Sequence, residues 1–233
     1  MMLRPTFLVI KKGDDMHGQE LGGYAYGMWA TVAFNTLLIL FFVTSYIVPK
    51  KNIEWRSMGA FIGFIVALFT EMYGFPLTIY LLSSWMGQSY PVLNPFTHNH
   101  GHLLLVLFSL ADSALAMTIL HIISNGIVFF GFYIIYRGWM LIYASKGQKL
   151  VTEGVYSYVR HPQYSGLFLI TIGFLMQWPS LTTLIMWPIL MFSYYHLAMR
   201  EERDVEKQFG KVYQEYKKRV PAFIPRLGKG GSQ

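Results

Sequence analysis

The sequence predicts an all-α, polytopic integral membrane protein with about five transmembrane helices, the last two joined as a tight C-terminal hairpin. Three observations lead there. Of 233 residues, 54% are hydrophobic and 17% aromatic, while only 13% are charged; an ordinary soluble domain carries about 25% charge. The apolar residues gather in runs close to the ~20 residues that cross a ~30 Å hydrocarbon core. Lysine and arginine sort to one side of those runs, as they do where basic residues are retained on the cytoplasmic face.

The first run is Trp29 to Val48, and the second, Met58 to Leu82, is interrupted by Glu71 and Pro76. The third is Ser113 to Tyr136. The wider stretch Leu103 to Tyr143 has room for two spans, with Asp112 and Arg137 the residues hardest to bury. Tyr164 to Trp178 and Leu181 to Leu197 follow, separated only by Pro179-Ser180. So short a connection makes them a helical hairpin, whose first arm falls short of a full crossing and starts within the interface.

Of the 19 Lys and Arg, only Arg4, Lys11 and Lys12 precede the first run, and the 83–112 segment has none. Five spans with the N-terminus outside put the other sixteen on the cytoplasmic face, together with the C-terminus. The start of the chain lacks the pattern of a cleaved signal peptide, so the first span is expected to anchor itself. The absence of cysteine excludes a disulfide, a thiolate nucleophile and a cysteine metal site. A net charge of +7 raises the possibility of nucleic acid, but the basic residues flank spans, where they attract anionic membrane lipids instead. The chain divides into an N-terminal transmembrane region, 1–140, and a region 141–233 with a loop, the hairpin and a cytoplasmic C-terminal helix.

The chemistry is expected at the hairpin mouth. Pro162 suits the first turn of a helix, and a helix beginning there directs its dipole toward a loop carrying Arg160 and His161. That combination suits a carboxylate or phosphate, although both residues also make ordinary interfacial anchors. Directly after the second arm comes Arg200-Glu201-Glu202-Arg203. Adjacent carboxylates at a membrane boundary repel each other where the dielectric is falling, so they call for water or a cation; the plain alternative is a solvated helix start. The two-residue turn brings both ends to one mouth, an anion site facing a cation site, which fits a zwitterionic amino acid moiety. Tyr156, Tyr158 and Tyr164 offer flat faces for a purine, or serve as interface anchors.

The order Arg160-His161-Pro162-x-Tyr164-x-Gly166, hairpin, Glu201-Glu202, Phe209-Gly210-x-x-Tyr213-x-x-Tyr216-x-x-x-Val220-Pro221 resembles the isoprenylcysteine carboxyl methyltransferase and phospholipid methyltransferase superfamily. The resemblance spans roughly residues 145 to 227, and Tyr216-Lys217-Lys218-Arg219-Val220-Pro221 leans toward the isoprenylcysteine branch. It implies S-adenosylmethionine as cofactor. Lys149, Leu150, Val151, Tyr156, Arg160, His161, Pro162, Gln163, Tyr164 and Gly166 would line it, with Glu201 and Glu202 reaching its amino group. The family's arginine, one helical turn before the glutamate and associated with the acceptor carboxylate, falls here on Leu197. Arg200 directly precedes Glu201, and these two are the candidate catalytic residues. The implied acceptor is a lipid or prenylated molecule, most directly a prenylcysteine carboxylate; a phospholipid amine is the nearest alternative. A nicotinamide-dependent sterol-reductase-like enzyme and a non-catalytic transporter or scaffold are the others. No second copy of the 155–205 pattern occurs in 1–150, which argues against the paired halves of many transporters.

Two further features invite a role. His98, His100 and His102 alternate, a spacing that gathers imidazoles on one face only in a strand, and with no carboxylate nearby a metal site is not expected. Glu71 inside the second run needs a partner, and His121 or Asn125 is in reach of such a pairing; it either lines a substrate cavity or bonds between helices.

Overall fold

The computed structural model describes residues 26–47, 52–86, 93–94, 97–145 and 148–226. These form eight α-helices: α1 Trp29–Tyr46, α2 Asn52–Phe69, α3 Leu77–Met86, α4 Leu103–Leu107, α5 Ala114–Ser145, α6 Pro162–Gln177, α7 Leu181–Phe209 and α8 Lys211–Arg219. No strand occurs among the described residues, and the chain is an all-α membrane protein. Four stretches are long and apolar enough to cross a membrane: Trp29–Tyr46, Glu54–Gly74, Ala114–Ser145 and Leu181–Phe209. The 16-residue α6 falls below that length, as expected of the hairpin's short first arm.

The third span is one unbroken helix of 32 residues, so the 103–143 stretch holds a single long span preceded by the five-residue α4. The second span starts earlier than its hydropathy suggests, at Asn52, and ends in a π-helical turn, Thr70–Gly74, before Pro76. Proline removes a backbone donor and blocks helix continuation, so α3 begins afresh at Leu77.

Glu71, 4% exposed, lies in that turn. It accepts hydrogen bonds from Thr78 N at 2.8 Å, Thr78 Oγ1 at 3.0 Å and Thr182 Oγ1 at 2.9 Å. The expected partners on α5 are therefore corrected. Asn125 Oδ1 instead accepts from Gln177 Nε2 at 2.9 Å, and His121 Nδ1 bonds the Met117 carbonyl of its own helix at 2.8 Å. Glu71 bonds between helices, satisfying its oxygens with the short side chains that start α3 and α7.

The hairpin turn is built by Ser180, whose Oγ accepts from Thr183 N at 3.1 Å while Thr183 Oγ1 accepts from Ser180 N at 3.2 Å, a reciprocal cap that starts α7 sharply. α6 packs along α5 at very close range. A Cβ on Gly131 of α5 would stand 2.6 Å from the Gly166 carbonyl of α6, and one on Gly166 would stand 2.6 Å from the Gly131 carbonyl. Small residues let membrane helices approach closely, where the hydrophobic effect between spans is absent. α2 packs against α7, and the core between the two pairs includes the fully buried Phe61, Phe64, Leu167, Ile170 and Trp178.

Beyond the apolar part of the hairpin, α7 continues to Phe209 and turns at Gly210, whose φ of +54° favours glycine. α8 then folds back so that Tyr213, Tyr216 and Val220 pack with Leu150, Val205 and Phe209. This second small core seats the 148–161 loop beside the hairpin mouth.

Candidate active site

The charged groups at the mouth do not divide into an anion end and a cation end. Glu202, 1% exposed, draws the cations onto itself. Arg160 donates to Glu202 Oε1 through Nε at 2.9 Å and Nη2 at 2.7 Å, and His161 Nε2 lies 3.0 Å from the same oxygen. Lys217 of α8 pairs with Oε2 at 2.8 Å. Arg160 Nη1 is also occupied, donating to the carbonyls of Lys217 at 3.1 Å and Val220 at 2.5 Å. The chain after α8 adds backbone bonds, from Arg160 N to Pro221 O at 2.9 Å and from His161 N to Ala222 O at 3.0 Å. Phe223 stacks on the His161 ring with centroids 5.5 Å apart. Arg160, His161 and Glu202 thus form one buried, mutually neutralised clamp joining α6, α7 and α8.

Glu201 points elsewhere. Its Oε1 accepts from Tyr164 Oη at 2.5 Å, and its Oε2 stands 3.9 Å from His161 Nδ1. The side chain is 40% exposed and edges a cavity of about 80 Å³. Tyr164 and Tyr194, with ring centroids 5.4 Å apart, form an aromatic wall. Met58 of α2, Leu167 of α6 and Leu197 of α7 supply apolar surface, as does Ile47 just after α1. Glu54 of α2 brings a second carboxylate.

Of the other expected site residues, Tyr156 is buried and accepts from Gln163 Nε2 at 2.8 Å; its carbonyl accepts from Tyr216 Oη at 2.6 Å. Burial pushes the Tyr156 phenol upward, so it stays neutral at physiological pH. Pro162 opens α6, and Gly166 faces α5 in the close glycine contact. Leu150 packs in the second core, Val151 is half-buried, and Lys149 is exposed, 3.7 Å from Glu153. Arg200 is exposed on α7, with no hydrogen bond or ion pair among the described residues, and does not line the cavity. Leu197, one turn before Glu201, does.

The polar or aromatic lining residues Tyr194 and Glu54 escaped the sequence reading, as did the apolar Ile47, Met58 and Leu167. Tyr194, Leu197 and Glu201 share one face of α7 at spacings of three and four, a signal available in the sequence. Glu54 lay ahead of the expected start of the second span, and only the earlier onset of α2 at Asn52 carries it onto a helix, four residues before Met58.

His98 to Gly101 is a 3₁₀ turn; the His98 and His102 rings pack edge to face with centroids 5.8 Å apart, and His102 stands 5.0 Å from His121, but no group of side chains placed to hold a metal ion occurs among the described residues. His102 Nδ1 donates to Gln177 O at 2.7 Å, and burial lowers its pKa to about 4. His98 packs on Trp178, centroids 4.8 Å apart.

Known proteins resemble this part of the chain. Residues 112–212 match the model of the phospholipid methyltransferase family. Protein-S-isoprenylcysteine O-methyltransferase of Schizosaccharomyces pombe is 35% identical over 90 residues, 37% of this chain and 38% of that protein. Protein-S-isoprenylcysteine O-methyltransferase B of Arabidopsis thaliana is 36% identical over 78 residues, 33% and 40% of the two chains. Methanethiol S-methyltransferase 2 of Bradyrhizobium diazoefficiens is 34% identical over 87 residues, 35% and 31%. The matched stretch thus spans about a third of this chain and no more than 40% of each of these relatives. From α5 to the start of α8, the chain is similar to the phospholipid methyltransferase family and to isoprenylcysteine methyltransferases.

Proposed function

We propose that the chain is an integral membrane methyltransferase that uses S-adenosylmethionine to methylate a lipophilic acceptor, with a carboxylate of the prenylcysteine type as the favoured acceptor and the mouth facing the cytoplasm. The observation that carries this reading is the Tyr164–Glu201 pair, which the hairpin holds at the edge of a recess walled by the buried apolar residues Met58, Leu167 and Leu197. The residues fit the cofactor: Glu201 suits its ammonium group, Tyr164 and Tyr194 its flat or cationic parts, and the 148–164 loop supplies further polar groups. When bound, the cofactor supplies a methyl group activated by a sulfonium. The basic sorting of the chain supports the cytoplasmic orientation.

The protein's task is then alignment and exclusion of water. A carboxylate acceptor is already ionised at neutral pH and needs no base. Tyr164 fixes Glu201 from one side, and the buried clamp on Glu202 fixes the helix turn that carries it. A phospholipid amine is the second reading, favoured by one observation: Leu197, rather than an arginine, lines the recess, and no cation is among its described lining residues. An amine must lose a proton, and Glu201 Oε2 is placed to accept it.

Calorimetric titration of the detergent-purified protein with S-adenosylhomocysteine tests the cofactor. Micromolar binding is expected, weakened about tenfold, or ~1.4 kcal/mol, in Glu201→Gln. A folded wild type that does not bind refutes the reading.

A further inference from the structure

The region before residue 112 lies outside the family match, yet it contributes one wall of the recess. Glu54 on α2 and Glu201 on α7 both line the same cavity, together with Tyr164, Tyr194 and apolar side chains. A hard metal ion would ask for six or more oxygen ligands or bound waters, whereas this recess offers two carboxylates among aromatic and aliphatic surface. Such a lining matches an organic cation, which carries charge on a carbon skeleton: the carboxylates meet the charge, the tyrosines offer π faces, and Met58, Leu167 and Leu197 meet the carbons. Size agrees. About 80 Å³ takes a charged centre and its neighbouring carbons but is small beside the roughly 300–1,000 Å³ of a complete small-molecule site. The recess is therefore a subsite for one charged end of a larger ligand.

We propose that Glu54 is a specificity-determining residue of the site: sharing the recess with Glu201, it binds an alkylammonium or sulfonium group. The proposal rests on the methyltransferase reading and extends it to a part of the chain that the family resemblance does not reach. The cation has two sources of shared chemistry, the cofactor and the headgroup of an amine acceptor.

The test uses the full chain in detergent and two probes. S-Adenosylhomocysteine carries the amino acid ammonium but no charge at sulfur, while sinefungin carries an additional amine near the sulfonium position. Wild type, Glu54→Gln and Glu54→Asp are titrated with each, after thermal melts confirm that all three are folded. A tenfold loss for sinefungin in Glu54→Gln, with S-adenosylhomocysteine held within twofold, places Glu54 at the sulfonium; an equal loss for both places it at the cofactor ammonium. Unchanged binding of both with a tenfold rise in KM for phosphatidylethanolamine vesicles places it at the acceptor amine. In each case Glu54→Asp, which keeps the charge, is expected to recover part of the loss. If Glu54→Gln keeps both affinities within twofold, with phosphatidylethanolamine giving the wild-type KM or no transfer, the proposal is overturned. A folded wild type that binds neither probe overturns the methyltransferase reading as well.

Discussion

Glu201 and Glu202 are neighbours with opposite surroundings, because successive residues on a helix point about 100° apart. One rotation turns Glu202 into the clamp of Arg160, His161 and Lys217, and the other turns Glu201 onto Tyr164 and the recess. A buried carboxylate costs free energy unless cations and donors satisfy it, and removing one member of a buried pair leaves the other uncompensated. Glu202→Ala, which strands Arg160, is therefore expected to destabilise the fold by about 3 kcal/mol, read as a lowered melting temperature in detergent. Tyr164→Phe should leave stability nearly unchanged while weakening S-adenosylhomocysteine binding several-fold, because it removes a hydrogen bond that orients Glu201 rather than one that holds helices together. A melt that shifts as far as that of Glu202→Ala would contradict this separation. The motif residues 160–164 and 201–202 were legible in the sequence as one cluster. Their division into a clamp and a recess edge was not, because it depends on α8, whose Lys217 completes the charge balance from outside the hairpin.

The closest helix contact is α5 on α6, through Gly131 and Gly166. In sequence Gly166 reads as part of a cofactor motif; in the fold its hydrogen is what lets two backbones meet. A side chain there would press on a carbonyl rather than on a flexible neighbour, so Gly166→Leu should cost about 3 kcal/mol, at the upper end of overpacking penalties, and lower the folded yield. The extension formed by the loop, the end of α7 and α8 responds to pH in a defined direction. Burial raises the phenols of Tyr156, Tyr213 and Tyr216 above their ordinary value. Their contribution to stability is complete below the unfolded tyrosine pKa of about 10 and is lost as pH rises beyond it. Limited proteolysis should therefore cut near α8 sooner above pH 10 than at pH 8, and Tyr213→Phe should reduce the difference. Insensitivity to pH would contradict the burial of these rings. Helix boundaries were the least legible elements: hydropathy marks where a span is apolar, whereas α2 and α7 extend past their apolar parts, α2 by six residues before Met58 and α7 by twelve after Leu197.

At the scale of the molecule, composition and charge sorting were enough for an all-α membrane protein with a C-terminal hairpin. The pairing of α5 with α6 and α2 with α7 was not, since contacts between distant spans leave little trace in one sequence. Orientation is open to direct test because the chain has no cysteine: single cysteines at Ser157 and at Asn99 will each be unique labels. With the mouth cytoplasmic, an impermeant maleimide added to sealed right-side-out cells should modify the Asn99→Cys protein and spare Ser157→Cys until the membrane is opened. The reverse pattern would invert the topology.

The clamp also imposes an order on biosynthesis. Residues 160–202 can enter the bilayer as they are made, but the groups that close on Arg160, His161 and Glu202 come from residues 217–223, which are translated later. Until that segment arrives, a newly inserted hairpin holds Arg160 and Glu202 at the lipid boundary without the partners that residues 217–223 supply. Quality-control proteases that survey membranes for exposed charge would meet this nascent form, and a stop codon placed just before Lys217 should yield a chain that inserts normally and is then rapidly degraded.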